Sequence, residues 1–307
     1  MSVLEVKDLL ISFNQYTSGL KQQQLNVISN LTITLEKGEI LAVVGASGSG
    51  KSLLAHAILG ILPSNANVSG TLRYDGEVLT PAKQASLRGS EIALIPQSVN
   101  YLDPLMRVGN QVRTSARVEN PVTAQRKVFE RLHLHENVEK MYPFQLSGGM
   151  ARRTLLSTAI VSGAKVIIAD EPTPGLDPVV IKEAMESFRE LADSGCAVML
   201  ITHDIVSALS IADKIAVFYA GTTVEIAPVE NFAGDGEALR HPYSKALWRA
   251  LPQNDFIPIP GAQPHPGDLP PGCLFAPRCP LATPECDRGQ PEMRTLRDGM
   301  VRCIHAT

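Results

Sequence analysis

Apolar residues along this chain arrive in short runs. Ile40–Val44, Glu91–Ile95, Val166–Ala169, Ala197–Ile201 and Lys214–Tyr219 are mostly continuous rather than alternating. That is the pattern of strands covered on both faces of a sheet. Segments with helical spacing separate several of them, which predicts an α/β fold with a mainly parallel sheet. Residues 1–38 and the Gly70–Thr80 region read as shorter alternating strands, so a small antiparallel β layer is expected beside that sheet. The character changes at Leu251. "LPQNDFIPIPGAQPHPGDLPPG" is rich in Pro and Gly and cannot be helical, which places a boundary there. Residues 1–250 are thus expected to form one domain, and 251–307 a Pro-rich linker with a C-terminal extension. No internal repeat and no low-complexity tract interrupts the chain.

At 307 residues the chain can hold one large α/β domain plus an appendage, or two modest domains. Hydrophobic content of 44% and charged content of 19% are those of an ordinary globular protein. The net charge of −3 gives no basic field, so no nucleic-acid partner is expected. No apolar run approaches the roughly 20 residues that span a bilayer. The opening MSVLEVKDLL lacks the apolar core of a signal peptide. A cytoplasmic location is expected, where the five cysteines would be thiols or metal ligands rather than disulfides.

Chemistry concentrates at the ends of the apolar runs. "EILAVVGASGSGKSLLAHAILG" reads as strand, glycine-rich turn and helix, and Gly45, Gly50, Lys51 and Ser52 satisfy G-x-x-x-x-G-K-S/T. Glycines let backbone N–H groups approach phosphate oxygens, and the helix N-terminus adds free donors. Ser47, Gly48 and Ser49 complete the cradle. Lys51 would reach the β- and γ-phosphates and Ser52 would ligate Mg²⁺. A second run, "VIIADE", ends in two carboxylates whose side chains diverge. Asp170 suits the acid that holds Mg²⁺, and Glu171 the base that polarises the attacking water. A third run, "VMLITHD", delivers His203, placed as a γ-phosphate sensor. Gln97 leaves a fourth run, "EIALIPQ", and its amide could ligate the metal. Three strand ends with such groups define a crevice at the carboxyl edge of the sheet.

A second glycine pair, in "QLSGGMARRTLL", stands about a hundred residues beyond the first cradle. Taken with the other motifs, it makes the chain resemble the ATPase subunit of an ATP-binding cassette (ABC) transporter. The loop Gly45–Ser52, Gln97, the signature Leu146-Ser147-Gly148-Gly149, the Val166–Glu171 strand, Asp177 and His203 occur in that family's order and spacing. The resemblance covers about residues 1–250. It implies a P-loop ATPase core, ATP and Mg²⁺ as cofactors, and a head-to-tail dimer of ATPase subunits. Each ATP would lie between one subunit's P-loop and the other's Ser147, Gly148 and Gly149. It further implies that Phe13, or failing it Tyr16, stacks on adenine, that Asp177 contacts the partner subunit, and that residues from about 98 to 141, or to 160 with the signature helix, form a helical subdomain facing membrane subunits. Met150 departs from the family's common glutamine, as peptide-importer subunits often do. Pro174-Gly175 stand where small Ser/Thr-Ala pairs are usual. No catalytic position is degenerate, which implies a hydrolysing subunit.

The segment "HPYSKALWRALP" and the tail "GCLFAPRCPLATPEC…VRC" resemble the C-terminal part of dipeptide, oligopeptide and nickel importers. Cys273, Cys279, Cys286 and Cys303 are spaced C-x₅-C-x₆-C-x₁₆-C. Four thiolates could close a zinc site or hold a 4Fe–4S cluster, or remain metal-free. The C-x₂₋₄-C pairs usual for structural zinc are absent, and the resemblance favours iron–sulfur. Cys196, inside an apolar run, reads as an inert buried thiol. The leading expectation is the energy-coupling ATPase of an importer for peptides or a similar solute, with nickel or a metal chelate as the alternative cargo. Its partners would be a related second ATPase subunit, two transmembrane permease subunits and an extracytoplasmic solute-binding protein. It would sit peripherally on the cytoplasmic face of the inner membrane. Two readings from other classes are a soluble ABC ATPase outside transport and a regulator whose cluster gates ATP use. A single cassette without heptads speaks against the former.

Overall fold

The computed structural model describes residues 2–16 and 22–307. Two 15-residue strands, β1 (Ser2–Tyr16) and β2 (Gln22–Glu36), pair antiparallel. The chain enters a second sheet at β3 (Ile40–Gly45), turns into α1 (Lys51–Leu59), and returns to the first sheet as β4 (Ala66–Tyr74) and β5 (Glu77–Val78). After α2 (Pro81–Leu87) comes β6 (Ile92–Ile95). Three helices follow: α3 (Val108–Ser115), α4 (Pro121–Arg131) and α5 (Gly148–Ile160). The core then alternates through β7 (Val166–Asp170), α6 (Pro178–Asp193), β8 (Ala197–Thr202), α7 (Ile205–Leu209) and β9 (Lys214–Tyr219), and closes with β10 (Thr222–Pro228). Beyond it lie α8 (Pro242–Arg249) and a hairpin of β11 (Arg294–Leu296) and β12 (Gly299–Val301).

The small sheet has the order β2-β1-β4-β5, and the large one β11-β12-β10-β9-β3-β8-β7-β6. Strands β6, β7, β8, β3 and β9 run parallel, while β10 and the tail hairpin are antiparallel. The continuous apolar runs have the cause expected of them. In β3, Ile40, Ala42 and Val44 point into one core and Leu41 and Val43 into the other. Each fully buried aliphatic side chain of this kind contributes about 1.5–3 kcal/mol. β6 starts at Ile92, one residue later than the expected Glu91, whose carboxylate accepts from the Tyr74 hydroxyl and pairs with the Lys165 ammonium, both at 2.9 Å. The two carboxylates Asp170 and Glu171 fall at the end of β7, and β8 ends one residue before His203.

Residues 251–272 contain neither helix nor strand. The tail beyond them joins the core sheet, since Glu225 and Ile226 of β10 pair with Val301 and Met300 of β12. Arg302, buried, donates to the carbonyls of Thr223, Pro291 and Asn30 and so ties the tail to both sheets. Under the same strand, the Glu225 carboxylate accepts from the N–H groups of Arg240 and His241, each at 2.9 Å. Arg240 bridges Glu225 to Asp298 of the tail hairpin turn. Burial holds the His241 ring near neutrality, its pKa pushed down to about 3, so it serves as the N-cap of α8 by accepting from the Tyr243 N–H.

One tight turn locks the two sheets and the glycine-rich loop together. Ala220 and Gly221 join β9 to β10 with both φ angles positive, the geometry of a two-residue hairpin that matches strand twist. The Gly221 N–H donates to the Ser49 carbonyl, and its own carbonyl accepts from Ser29 in β2. A Cβ at Gly221 would stand 2.1 Å from the Val27 carbonyl oxygen, with φ at +83°. Gly221→Ala is therefore expected to lower unfolding free energy by about 2–4 kcal/mol, combining strain and overpacking. Gly234→Ala, at a positive φ but in open space, should cost only about 1–2 kcal/mol. Urea denaturation of both variants checks the contrast; equal losses would remove the locking role from Gly221.

Candidate functional site

The glycine-rich loop runs from the end of β3 into α1. Gly45 is required by its neighbour, because a Cβ there would stand 2.3 Å from the Phe218 carbonyl oxygen. Gly50 opens α1 in a left-handed conformation with no side-chain cap, which leaves N-terminal helix donors to an incoming anion. Lys51 is buried, and its ammonium donates to the carbonyls of Gly45 and Ala46 at 2.9 and 3.0 Å. Burial pushes its pKa down, against the pull of Glu171 and Asp170. Ser47 is exposed on the loop, whereas Ser49 is buried with its hydroxyl unpaired and its carbonyl held by Gly221.

Ser52 donates from Oγ to Asp170 Oδ1 at 3.1 Å, joining the first turn of α1 to the end of β7. Burial pushes the Asp170 carboxyl up, and the Ser52 bond pulls it back. Those two oxygens are a donor set suited to a hard divalent cation. Next along, Glu171 adopts a left-handed backbone, φ 49°, an uncommon conformation for a non-glycine residue. It turns the carboxylate toward His203, whose Nδ1 lies 2.8 Å from Glu171 Oε2. Glu171 is almost fully enclosed, while the His203 side chain is 64% exposed and faces outward. Lys51, Ser52, Asp170, Glu171 and His203 therefore meet at the carboxyl ends of β3, β7 and β8, as the sequence led one to expect.

Arg152, which sequence reasoning missed, braces this row. Its guanidinium donates to the Glu171 carbonyl at 2.6 Å and to the Gln97 carbonyl at 3.0 Å. It stands one turn into α5, so that helix is bolted to the strand end that carries Glu171. Only its place in "GGMARRTLL" marked it, and nothing there separates it from Arg153. Gln97 is exposed, and its backbone, not its amide, makes this contact.

The signature glycines lie elsewhere. Ser147 caps α5, its Oγ accepting from the Met150 N–H at 3.2 Å, with Gly148 and Gly149 in the first turn. This helix packs on β6 at the sheet edge and on α3 and α4, while α1 packs on β3 and β7. A Cβ on Gly149 would sit 3.4 Å from the Gly175 carbonyl oxygen, so the signature and the Pro174-Gly175 turn are neighbours within this chain. Asp177 caps α6 through Oδ1 and the Val180 N–H at 3.1 Å. Phe13 is half-buried in β1, between Leu25 of β2 and Ala66 of β4, and the Tyr16 side chain lies outside the described part.

The tail brings its four cysteines to one small cavity, beside Phe275 and His305. Gly272 allows this, since a Cβ there would lie 1.9 Å from the Cys286 carbonyl oxygen. Backbone N–H groups of Phe275, Leu281 and His305 point at the sulfurs of Cys273, Cys279 and Cys303, and His305 Nε2 lies 3.5 Å from Cys286 Sγ. Burial pushes the thiols of Cys273, Cys279 and Cys303 up, and each has a neighbouring thiol that adds to the shift. Among the described residues no group of three or more His, Cys, Asp or Glu side chains is arranged to hold a metal ion. The four expected ligands are thus neighbours around a shared space and not a finished coordination shell, although four thiols, three of them with backbone donors on their sulfurs, are a donor set that fits a cluster. Cys196 is buried, and burial pushes its thiol up to about 11. No helix among the described residues is long and apolar enough to cross a membrane.

Comparison with known proteins agrees with this geometry. Residues 28–174 match the ABC transporter family, and residues 224–286 match the C-terminal region of oligopeptide/dipeptide transporters. The chain is similar to the oligopeptide transport ATP-binding protein OppD of Salmonella typhimurium, at 34% identity over 94% of this chain and 89% of that one. It is 33% identical to the protein of that name from Haemophilus influenzae, over 98% and 96% of the two chains. The OppD of Mycobacterium tuberculosis is 36% identical, and the chain spans about half, 52%, of its length. Among solved structures, an ATP-binding subunit of an ABC transporter superposes with a TM-score of 0.63 at 24% identity, over 75% of this chain and 92% of that one. A dimeric ATP-binding cassette in a post-hydrolysis state, with ADP and Pi bound, gives 0.64 at 23% identity, over 74% and 98%. These structural likenesses show the cassette fold. The fold, the strand-end row and the full-length likeness to the Salmonella and Haemophilus proteins together place the chain in one family: it belongs to the ABC transporter ATP-binding proteins of the oligopeptide/dipeptide type.

Proposed function

We propose that this chain hydrolyses ATP as the energy-coupling subunit of a membrane importer for peptides. The observation that carries the reading is the continuous row of Lys51, Ser52–Asp170 and Glu171–His203 along three strand ends. The ammonium of Lys51 would leave the carbonyls of Gly45 and Ala46 for the β- and γ-phosphate oxygens. Ser52 and Asp170 would hold Mg²⁺, with Gln97 able to join them, and the ion when bound neutralises charge on the phosphates. Glu171 has one oxygen on His203, and its other can take the proton of an attacking water. With Nδ1 engaged by Glu171, the Nε2 of His203 is the ring atom left to face the γ-phosphate.

In its own chain the signature helix lies across the sheet from the glycine-rich loop's helix, the buried side of α5 facing one core and that of α1 the other. This supports a head-to-tail dimer in which Ser147, Gly148 and Gly149 complete the neighbour's site and Asp177 lies at the junction. The solved dimeric cassette is in keeping with it. The Ser147 oxygen accepts within α5 and retains its own proton to donate. Phe13 would stack on adenine. The mate would be a related ATPase subunit. Two permease subunits would dock on the helical subdomain. Support comes from a cavity of about 370 Å³ there, lined by Tyr101, Leu102 and Met106. Leu105, 88% exposed, lies beside it. An extracytoplasmic solute-binding protein would deliver cargo, and the chain would sit on the cytoplasmic face of the inner membrane. Relatives named for oligopeptide transport support a peptide cargo over nickel or a metal chelate. The match of residues 224–286 to a transporter region supports transport over a soluble role.

Cys273, Cys279, Cys286 and Cys303 would hold a 4Fe–4S cluster, which supplies four iron–thiolate bonds to a tail with little core of its own; the convergent thiols and the N–H groups on their sulfurs support this. Glu171→Gln is expected to lower ATP turnover at least about a hundredfold while ATP binding persists and a closed dimer accumulates. Single-turnover kinetics with light scattering checks it, and unchanged turnover would remove Glu171 from the proton-accepting role. Anaerobically purified protein should be brown and contain iron and sulfide in equal amounts. A colourless preparation with stoichiometric zinc would exclude the cluster.

A further inference from the structure

Strands β6 and β7 pair in parallel with Ile95 opposite Ala169. Continuing that register by two residues brings Gln97 level with Glu171. The strand itself stops at Ile95, and Pro96, the next residue, has no N–H to give to a further rung. Arg152 joins the two chains where the ladder ends. Its Nη1 donates to the Glu171 carbonyl at 2.6 Å, and its Nη2 to the Gln97 carbonyl at 3.0 Å. A guanidinium holds its outer nitrogens in one plane at a fixed spacing, so one rigid group sets both backbone segments relative to each other.

On the β7 side the segment so held is a strained one. Glu171 has φ 49°, and a residue with a side chain keeps such a backbone only where its surroundings over-determine it. Three contacts act on it here. Its N–H donates to the Ile201 carbonyl at 2.8 Å, its carbonyl accepts from Arg152, and its Oε2 lies 2.8 Å from His203 Nδ1. The first continues the pairing with β8, and the third depends on a side chain that is 64% exposed. The second is short and has a fully charged donor, which makes it the stronger kind of hydrogen bond. Without it the carbonyl can turn, the peptide plane after Glu171 turns with it, and the carboxylate on the same Cα loses its aim. The seat of α5 does not depend on this contact, because Ala151, Thr154, Leu155, Leu156 and Ala159 are buried beneath that helix.

We propose that Arg152 is a positioning residue for Glu171: it holds the left-handed turn at the end of β7, locks it to the chain leaving β6, and so sets the direction of the base. The proposal rests on the reading that Glu171 takes the proton of the attacking water. In the full-length protein, Arg152→Gln should lower kcat for ATP hydrolysis about ten- to a hundredfold, the scale of an ångström-sized misplacement, while KM for ATP changes less than about threefold. Arg152→Lys, which keeps the charge and can still reach one carbonyl, should recover part of the loss. Arg131 is the matched comparison, an arginine that ties α4 to α6 through Glu190 at 2.5 and 2.9 Å. Arg131→Gln should leave kcat within about twofold of the parent. Hydrogen exchange in the nucleotide-free Arg152→Gln protein should speed up across residues 169–173 and stay unchanged across 154–160, a readout that needs no turnover. In a Glu171→Gln background, Arg152→Gln should lower the residual rate by less than about threefold, because the group it positions is already gone. Parental kcat in Arg152→Gln, an equal loss in Arg131→Gln, exchange that quickens along α5 as much as at Glu171, or full additivity with Glu171→Gln would each overturn the proposal. Unchanged turnover in Glu171→Gln alone would instead remove the reading of the site on which the proposal stands.

Discussion

An ammonium group withdrawn from water must be given oxygen, and at the end of β3 the loop's own backbone supplies it. Lys51 takes the carbonyls of Gly45 and Ala46, and this one arrangement dictates much of the surrounding structure. The loop must curl back over the lysine, which requires glycine at Gly45, where the Phe218 carbonyl passes close behind. The loop must also be pinned from outside, which the Gly221 turn does through Ser49. The counter-charges cannot be far away, and Asp170 and Glu171 on β7 are the acids that offset the cost of burying the lysine. Parallel strands place all of these groups at the same sheet edge, whereas antiparallel ones would have scattered them to both ends.

Much of this could be read before any coordinates. The two-faced burial of β3, β7 and β8 follows from uninterrupted apolar runs, and the residues just past those runs are the ones that meet. The glycine-rich loop declared itself by spacing alone. What escaped the sequence shares a physical reason: it depends on contacts between residues far apart in the chain that use common residue types. Arg152 differs from Arg153 only in the face of α5 it occupies, and Arg152 reaches carbonyls just past the ends of β7 and β6. Tyr243 belongs to a segment whose family likeness was visible, yet its proximity to Ala46 arises from the way β10 and Glu225 carry α8 back over the loop. The Glu91 end of β6 was misplaced because an acid beside an apolar run gives no sign of which tyrosine or lysine will claim it.

The cysteines show the limit of spacing arguments in another way. Their separations fit no common paired pattern, but Gly272 lets the backbone just ahead of Cys273 press against the Cys286 carbonyl, and that approach gathers residues spread over 31 positions from Cys273 to Cys303. Convergence is therefore a property of the fold, while the chemistry of the sulfurs follows from burial and from the backbone donors around them. The same tail is sewn to the core by two buried arginines with different tasks. Arg302 satisfies loose carbonyls of both sheets, and Arg240 neutralises a carboxylate beneath β10.

The hairpin of β11 and β12 occupies the flank of β10, which would otherwise be the outermost strand on that side of the large sheet. An uncovered flank presents unpaired amides and carbonyls, and such a ladder recruits strands from other molecules. Because this hairpin follows every other strand of the sheet in sequence, the flank of β10 stays open until residues 294–301 have been made and folded. Forms shortened ahead of residue 294 would keep Lys51, Ser52, Asp170, Glu171 and His203 and yet carry an adhesive rim.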